Sequence, residues 1–257
     1  MKPTLSIIIP AFNEEVGLRR TVEMLVGLLG GFFADFELLI VDDGSRDRTG
    51  QIADQLAAGD RRIRVVHHDV NRGLGYSYRE GIKLATKENI WWIPGDGGGL
   101  NSEDDLANIF GAVGQSDMVL VYLLSENRPR HRQMISRSYT ALLNLLFGLK
   151  IKYYNGANIY RSELLRDLPM TSNGHGLLAE ISLQLVKGQY SYTEVGMHNR
   201  EPAGGSSNAL RLKNIFRVGK VLLGLYWRLQ VRGNYRKTGS TKMTPLTSST
   251  PEPERSP

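Results

Sequence analysis

The sequence predicts an α/β domain with a doubly wound, mostly parallel sheet. Three observations lead there. Short apolar runs alternate with helix-spaced patterns from Leu5 to Tyr122. The runs are apolar throughout rather than at every second residue, as in strands covered by helices on both faces. Polar clusters of Asp, Asn and Gly follow the runs, and a sheet of this kind binds ligands beyond the carboxyl ends of its strands.

The elements follow in order. "LSIIIP" is the first strand, and Val16, Leu18, Val22, Leu25, Val26 and Leu29 then recur at helical spacing. "FELLIVDDGS" is the second strand, with a helix over 49–57. "IRVVHH" is the third, and "NRGLGYSYREGIKLAT" supplies its helix. "IWWIPGD" is the fourth; the next helix starts near Asn101 or Ser102, with Glu103 and Asp104 in its first turn. "DMVLVY" is the fifth. Beyond it, "SENRPRHRQMISRS" reads as a basic loop leading into the apolar helix "YTALLNLLFGL". "YYNGANIYRSELL" and "EISLQLVKGQYSYTEVGMHNRE" read as strand and helix pieces that close the cleft. Residues 208–232 read as one or two basic amphipathic helices, and the Ser-, Thr- and Pro-rich tail 238–257 as disordered.

Composition limits the function classes. The 257 residues contain no cysteine, which excludes disulfides and thiolate metal sites. No signal-peptide pattern opens the chain, and no run of 18 apolar residues predicts a membrane span. The net charge of +6 suits phosphate-bearing ligands, nucleic acid or an anionic membrane without choosing among them.

Each polar cluster admits a structural and a chemical reading. Asp42 and Asp43 can form an Asx turn and a helix cap, or hold a base N–H or ribose hydroxyl. Gly73 can supply a positive φ or a helix start, and Arg72 can face a diphosphate or solvent. Trp91 and Trp92 lie in an apolar run, where core packing is favoured over a sugar platform. In "PGDGGG" the single carboxylate is Asp96. It can hold Mg²⁺ together with substrate phosphates and water. The glycines can instead offer backbone N–H groups as an anion nest, or the stretch can be a turn with Asp96 as a cap.

"SIIIPAFNEE" and "LLIVDDGSRDRT", with "NRG" and the Asp96 loop in the same order, resemble the family 2 glycosyltransferases of GT-A fold. The polyprenyl-phosphate sugar transferases of the dolichol-phosphate mannosyltransferase type are the group most resembled, over about residues 4–207. The resemblance implies inverting transfer of a sugar from a GDP- or UDP-sugar to a polyprenyl phosphate. It implies nucleotide contacts at Pro10, Asn13, Glu14, Asp43, Arg72, Gly95 and Gly97, and Mg²⁺ or Mn²⁺ on Asp96. The family commonly has Asp-x-Asp with a further ligand two residues on; this chain has Pro94 and Gly98 at those two outer positions, so the metal motif is incomplete.

On the acceptor side the resemblance implies Arg137 and Arg200 as catalytic residues on the acceptor phosphate, with Ser206 beside them. His198 and Asn199 are read as structural, and Glu180 as a helix-start residue. The domain plan is 1–207 for the transferase, 208–237 for basic helices favoured as membrane-interfacial over core-docking, and 238–257 for the tail. The expected partners are the donor, the lipid phosphate and a membrane surface, not nucleic acid. A homo-oligomer is left open, and the expected location is peripheral, on the cytoplasmic face of a membrane. Two rivals stand beside this reading: a family 2 enzyme acting on a sugar hydroxyl through a general base, and an inactive nucleotide-sugar-binding protein.

Overall fold

The computed structural model describes residues 2–96, 102–126, 129–174, 176–199, 223–231 and 233. Seven strands form one sheet: β1 (Thr4–Ala11), β2 (Asp35–Asp42), β3 (Ile63–His67), β4 (Asn89–Trp92), β5 (Met118–Glu126), β6 (Ile159–Arg161) and β7 (Tyr192–Asn199). Their order is β3-β2-β1-β4-β6-β5-β7. Only β6 runs against its neighbours, so β4 and β5, both antiparallel to it, point the same way as β1. The expected mostly parallel sheet is therefore present, and its order reverses between β1 and β4.

Among the described residues, seven helices cover the sheet: α1 (Leu18–Phe32), α2 (Thr49–Gly59), α3 (Leu74–Leu84), α4 (Glu103–Gly111), α5 (Arg130–Phe147), α6 (Ser162–Arg166) and α7 (Gly176–Lys187). Successive strand residues point to opposite faces. Ile7, Ile9, Leu38, Ile40 and Trp91 join one core with α1, α2 and α4. Ile8, Leu39, Val41, Ile90 and Trp92 join the other with α3, α5, α6 and α7. Both tryptophans are buried, and their indole N–H groups donate to Ala157 O and Gly156 O. They are core residues, not a sugar platform.

Two expectations change. The "basic loop" is helical from Arg130 onward: Pro129 precedes the first turn, and its carbonyl accepts from the Arg132 and Gln133 N–H groups. Charge density suggested a solvated loop, but Arg, Gln and Met are good helix formers. Strand β5 also runs on past Tyr122 to Glu126, because β7 pairs with it across a bulge as far as Glu126–Asn199.

Of the basic C-terminal segment, residues 223–226 form a helical turn that runs into a π-helix at Trp227–Val231. Its Leu225 and Leu229 are buried in the second core, whereas Leu223, Trp227 and Val231 are exposed. This part docks on the domain with one face and keeps an apolar outer face.

Candidate active site at the carboxyl ends of β1 to β4

The four leading polar clusters meet at the carboxyl end of the parallel strands, as the sequence predicts. Their motif residues first of all hold one another. Asn13 adopts a left-handed φ of 57°, which turns its N–H to Ser45 Oγ (3.1 Å) and its Oδ1 to the Arg46 N–H (2.9 Å). Asn tolerates this conformation better than most residues. The Glu14 N–H donates to Thr49 Oγ1 (2.7 Å) and the Glu15 N–H to Asp47 Oδ2 (3.2 Å). The loop after β1 is thereby latched to the loop after β2, and "DGSRDRT" supplies the catches.

The two neighbouring aspartates brace different things. Asp42 accepts from the Ser45 N–H (3.0 Å) and faces His67 Nδ1 (3.0 Å), an Asx-type turn plus a strand-end contact. Asp43 is buried and serves the next loop: Oδ1 accepts from the Arg72 N–H (2.9 Å) and Oδ2 from the Gly73 N–H (2.8 Å). His68 Nδ1 lies 2.7 Å from Asp43 Oδ1, and its Nε2 meets Glu80 Oε2. Burial pulls the His68 pKa down, but the hydrogen bonds to Asp43 and Glu80 outweigh it and raise it. A protonated His68 then donates to both carboxylates. Sequence reasoning missed this bridge, although two histidines directly after an apolar run were a visible signal.

The Asn71-Arg72-Gly73 loop is also held from the far side. Gly73 is both the positive-φ residue (91°) and the N-cap of α3, and a Cβ there would lie 2.8 Å from Asn173 O. Asn173 O accepts from the Gly75 N–H, and Arg79 donates to Ser172 O. The loop 171–173 is in turn fixed by Glu180. This fully buried carboxylate accepts from Thr171 N–H and Oγ1, from the Ser172 N–H and from Arg228 of the C-terminal helix (3.0 Å). Glu180 is structural as expected, but it acts by anchoring a loop and not by sitting at a helix start. Arg72 lies over the Tyr76 ring at 4.8 Å and donates to its hydroxyl, so it is pre-positioned beside the cleft.

Glu14 and Asp96 come together where the strand order reverses, the usual ligand crevice of such a sheet. Pro10 at the end of β1 accepts from the Gly95 N–H (3.2 Å). Gly95 fits against Ala11 and Glu14: a Cβ there would lie 3.2 Å from Ala11 Cβ and from Glu14 Cγ. A Cβ on Gly17, at the start of α1, would lie 2.9 Å from Asp96 Cα. Burial, then the nearby Asp96 and Asp47 charges, push the Glu14 pKa from 4.5 to about 7. Asp96 is exposed in its turn and is not a helix cap; Ser102 caps α4 by accepting from the Asp105 N–H (3.3 Å). The capping alternative for Asp96 is therefore set aside.

No group of three or more His, Asp or Glu side chains that could hold a cation exists among the described residues. One or two carboxylates with substrate phosphates and water do suffice for Mg²⁺ or Mn²⁺. Asp96 with Glu14 beside it fits that arrangement, and a cation would offset the Asp96 charge that, after burial, helps raise Glu14. Gly97, Arg200 and Ser206 lie outside the described residues. Arg137 is exposed on α5. His198 donates its N–H to Asp105 Oδ2 (3.0 Å) and turns its ring to Asp105 Oδ1, tying β7 to α4.

Residues 6–167 match the family model described as "Glycosyl transferase family 2". The chain belongs to glycosyl transferase family 2. The sheet is that of the GT-A fold. The chain is similar to polyprenol monophosphomannose synthase of Mycolicibacterium smegmatis, 26% identical over 74% of each chain. It is also similar to undecaprenyl-phosphate mannosyltransferase of Micrococcus luteus, 27% identical over 70% of this chain and 76% of that one. Across the first three curated relatives, the chain spans 27%, 74% and 38% of their lengths. Among solved structures, glucosyl-3-phosphoglycerate synthase from Mycobacterium tuberculosis, in complex with Mn²⁺, UDP and glucosyl-3-phosphoglycerate, shares the fold. Its TM-score is 0.59 at 20% identity, over 88% of this chain and 79% of that one.

Proposed function

We propose that this family 2 glycosyltransferase moves a sugar from a GDP- or UDP-sugar to a polyprenyl phosphate, with inversion at the anomeric carbon, at the cytoplasmic face of a membrane. The donor nucleotide lies along Pro10, Asn13, Glu14, Asp43, Arg72 and Gly95, and Arg72 reaches its diphosphate. A Mg²⁺ or Mn²⁺ ion, when bound, supplies Lewis-acid stabilisation of the leaving diphosphate. Asp96 and the neighbouring Glu14 would hold it. Two relatives that align over about three quarters of their own length are named for lipid-phosphate mannose transfer, which supports this acceptor class.

The observation that carries the acceptor reading is the state of Glu180. A hydroxyl acceptor needs a general base within hydrogen-bond reach. Glu180, which the resemblance sets at a family position beyond the donor loops, is fully buried under four donors and is not free to take a proton. A phosphate monoester has a second pKa near ~6 and is already nucleophilic at neutral pH. It needs fixed cations, and the two-pronged geometry of arginine suits phosphate. Arg137 and Arg200, with Ser206, take that role. The test is single-turnover transfer with a panel of GDP- and UDP-sugars, with and without Mn²⁺, to a short prenyl phosphate and to neutral sugars. Transfer to a neutral sugar alone would promote the hydroxyl-acceptor rival. Donor binding by thermal shift with no transfer to any acceptor would promote the inactive binding protein.

A further inference from the structure

Twelve large hydrophobic side chains are exposed among the described residues, and eight of them lie on two neighbouring helices. Four are on α5: Met134 (68% exposed), Ile135 (46%), Leu142 (47%) and Leu145 (81%). The other four are Leu223, Tyr226, Trp227 and Val231 of the C-terminal helix. The two helices touch: the Phe147 and Tyr226 rings are 6.0 Å apart, and Gln230 donates to Leu146 O at 3.1 Å.

At about 100° per residue, Met134, Ile135, Ala141, Leu142 and Leu145 fall within an arc of roughly 120° on α5, interrupted by His131 and Ser138. Arg130 and Arg137 border one edge of that arc, and both are exposed. Leu143 and Phe147 point the other way, into the core. The sequence predicts an apolar helix here; in the fold, four of the large apolar residues of α5 face out. Between Arg130 and Phe147 there is no Asp or Glu.

We propose that the outward face of α5 is a bilayer-contacting surface that takes the headgroup layer of anionic phospholipid, with the C-terminal helix continuing it. An apolar stripe edged by arginine is the pattern of a helix lying in a membrane interface, and each basic residue adds attraction to anionic lipid. The alternative occupant, a second copy meeting α5 on α5 about a two-fold axis, would set the arginines of both copies against each other with no carboxylate on either helix. The placement also suits the chemistry: β5 runs parallel to β1 and β4, so α5 starts from the carboxyl end of the sheet, where Glu14 and Asp96 lie. In relation to the proposed reaction, this surface brings the cleft to the level of a lipid phosphate, and in that respect it rests on that reading.

The experiment uses the full chain with vesicles of phosphatidylcholine alone or mixed with phosphatidylglycerol. The wild type should cosediment with the mixed vesicles and much less with the neutral ones. Leu142→Gln combined with Leu145→Gln should weaken that binding by about tenfold or more, with an unchanged circular-dichroism spectrum and melting curve. Arg130→Gln should reduce the preference for phosphatidylglycerol. Unchanged binding by the double variant would overturn the proposal. So would a wild-type dimer that the double variant converts to monomer in sedimentation velocity, or cross-linking of α5 to residues 206–222 of the same molecule in free solution. Transfer to detergent-solubilised prenyl phosphate is measured in parallel. Vesicle binding lost in the double variant while detergent transfer persists supports the surface; vesicle binding without any transfer by the wild type overturns the reaction reading and leaves the surface standing.

Discussion

Glu14 is the cleft carboxylate whose chemistry the fold changes, and Asp96 is its charged neighbour. In the metal-free chain Glu14 has its pKa raised from 4.5 to about 7. Between those values the folded chain keeps a proton that the unfolded chain has released, so stability falls as pH rises through that window. Glu14 is only half buried, and solvent screening leaves an effect on the order of 1 kcal/mol. Melting temperatures of the wild type in chelator should therefore decline between pH 5 and pH 7.5, ~1 kcal/mol in all, and Glu14→Gln should flatten the decline. An unchanged slope in the variant would remove Glu14 as its origin. His68 has a raised pKa too; its contribution is complete below 6.5 and is lost above it, so the part of the decline below pH 6.5 carries no His68 contribution. Asp96 is tested directly. Asp96→Ala should lower transfer by about two orders of magnitude or more, while Pro94→Ala changes little, since Pro94 has no ligand atom. Equal turnover of Asp96→Ala and the wild type in chelator would shift the argument to the backbone N–H groups of the glycine loop.

Among the elements, the C-terminal helix has the clearest structural task. Arg228 joins the fully buried Glu180, which fixes Thr171 and Ser172 and, through Asn173, the Gly73 loop. Removing one partner of a buried pair leaves an uncompensated charge. Arg228→Ala should cost on the order of 3 kcal/mol by urea unfolding, and should weaken donor-nucleotide binding through the loosened 171–173 loop. Arg228→Lys should restore part of both. A variant with wild-type stability and nucleotide affinity would show that Glu180 is held well enough by its loop donors alone. Helix α4 illustrates a smaller effect: Ser102→Ala should cost about 1 kcal/mol, because the Asp105 N–H loses its cap.

At the scale of the whole molecule, donor and acceptor chemistry belong to different parts of the chain. The donor loops cluster at the ends of β1 to β4, while Arg137 is on α5 and Arg200 follows β7. Arg137→Ala and Arg200→Ala should each lower transfer strongly while leaving donor-nucleotide affinity within a factor of about two, with lysine rescuing only in part. Full activity in both alanine variants would sink the lipid-phosphate reading. Deleting residues 238–257 should leave transfer unchanged, measured with the same assay.

The mostly parallel sheet, its first five strands and the cluster at the strand ends were legible in the sequence, because continuous apolar runs and the Asp, Asn and Gly motifs are local signals. The sequence also determined that Asp96 is the single carboxylate of its loop. It could not tell which of its acidic residues are already engaged. Asp43 with His68, Glu180 with Arg228 and Glu14 with Asp96 are separated by 25, 48 and 82 positions, and each partnership exists only because the strands and helices that carry them pack side by side. The outward turn of α5 is of the same kind. Its apolar residues cover more than one side of the helix, and only docking against the sheet decides which of them are buried and which remain to meet something else.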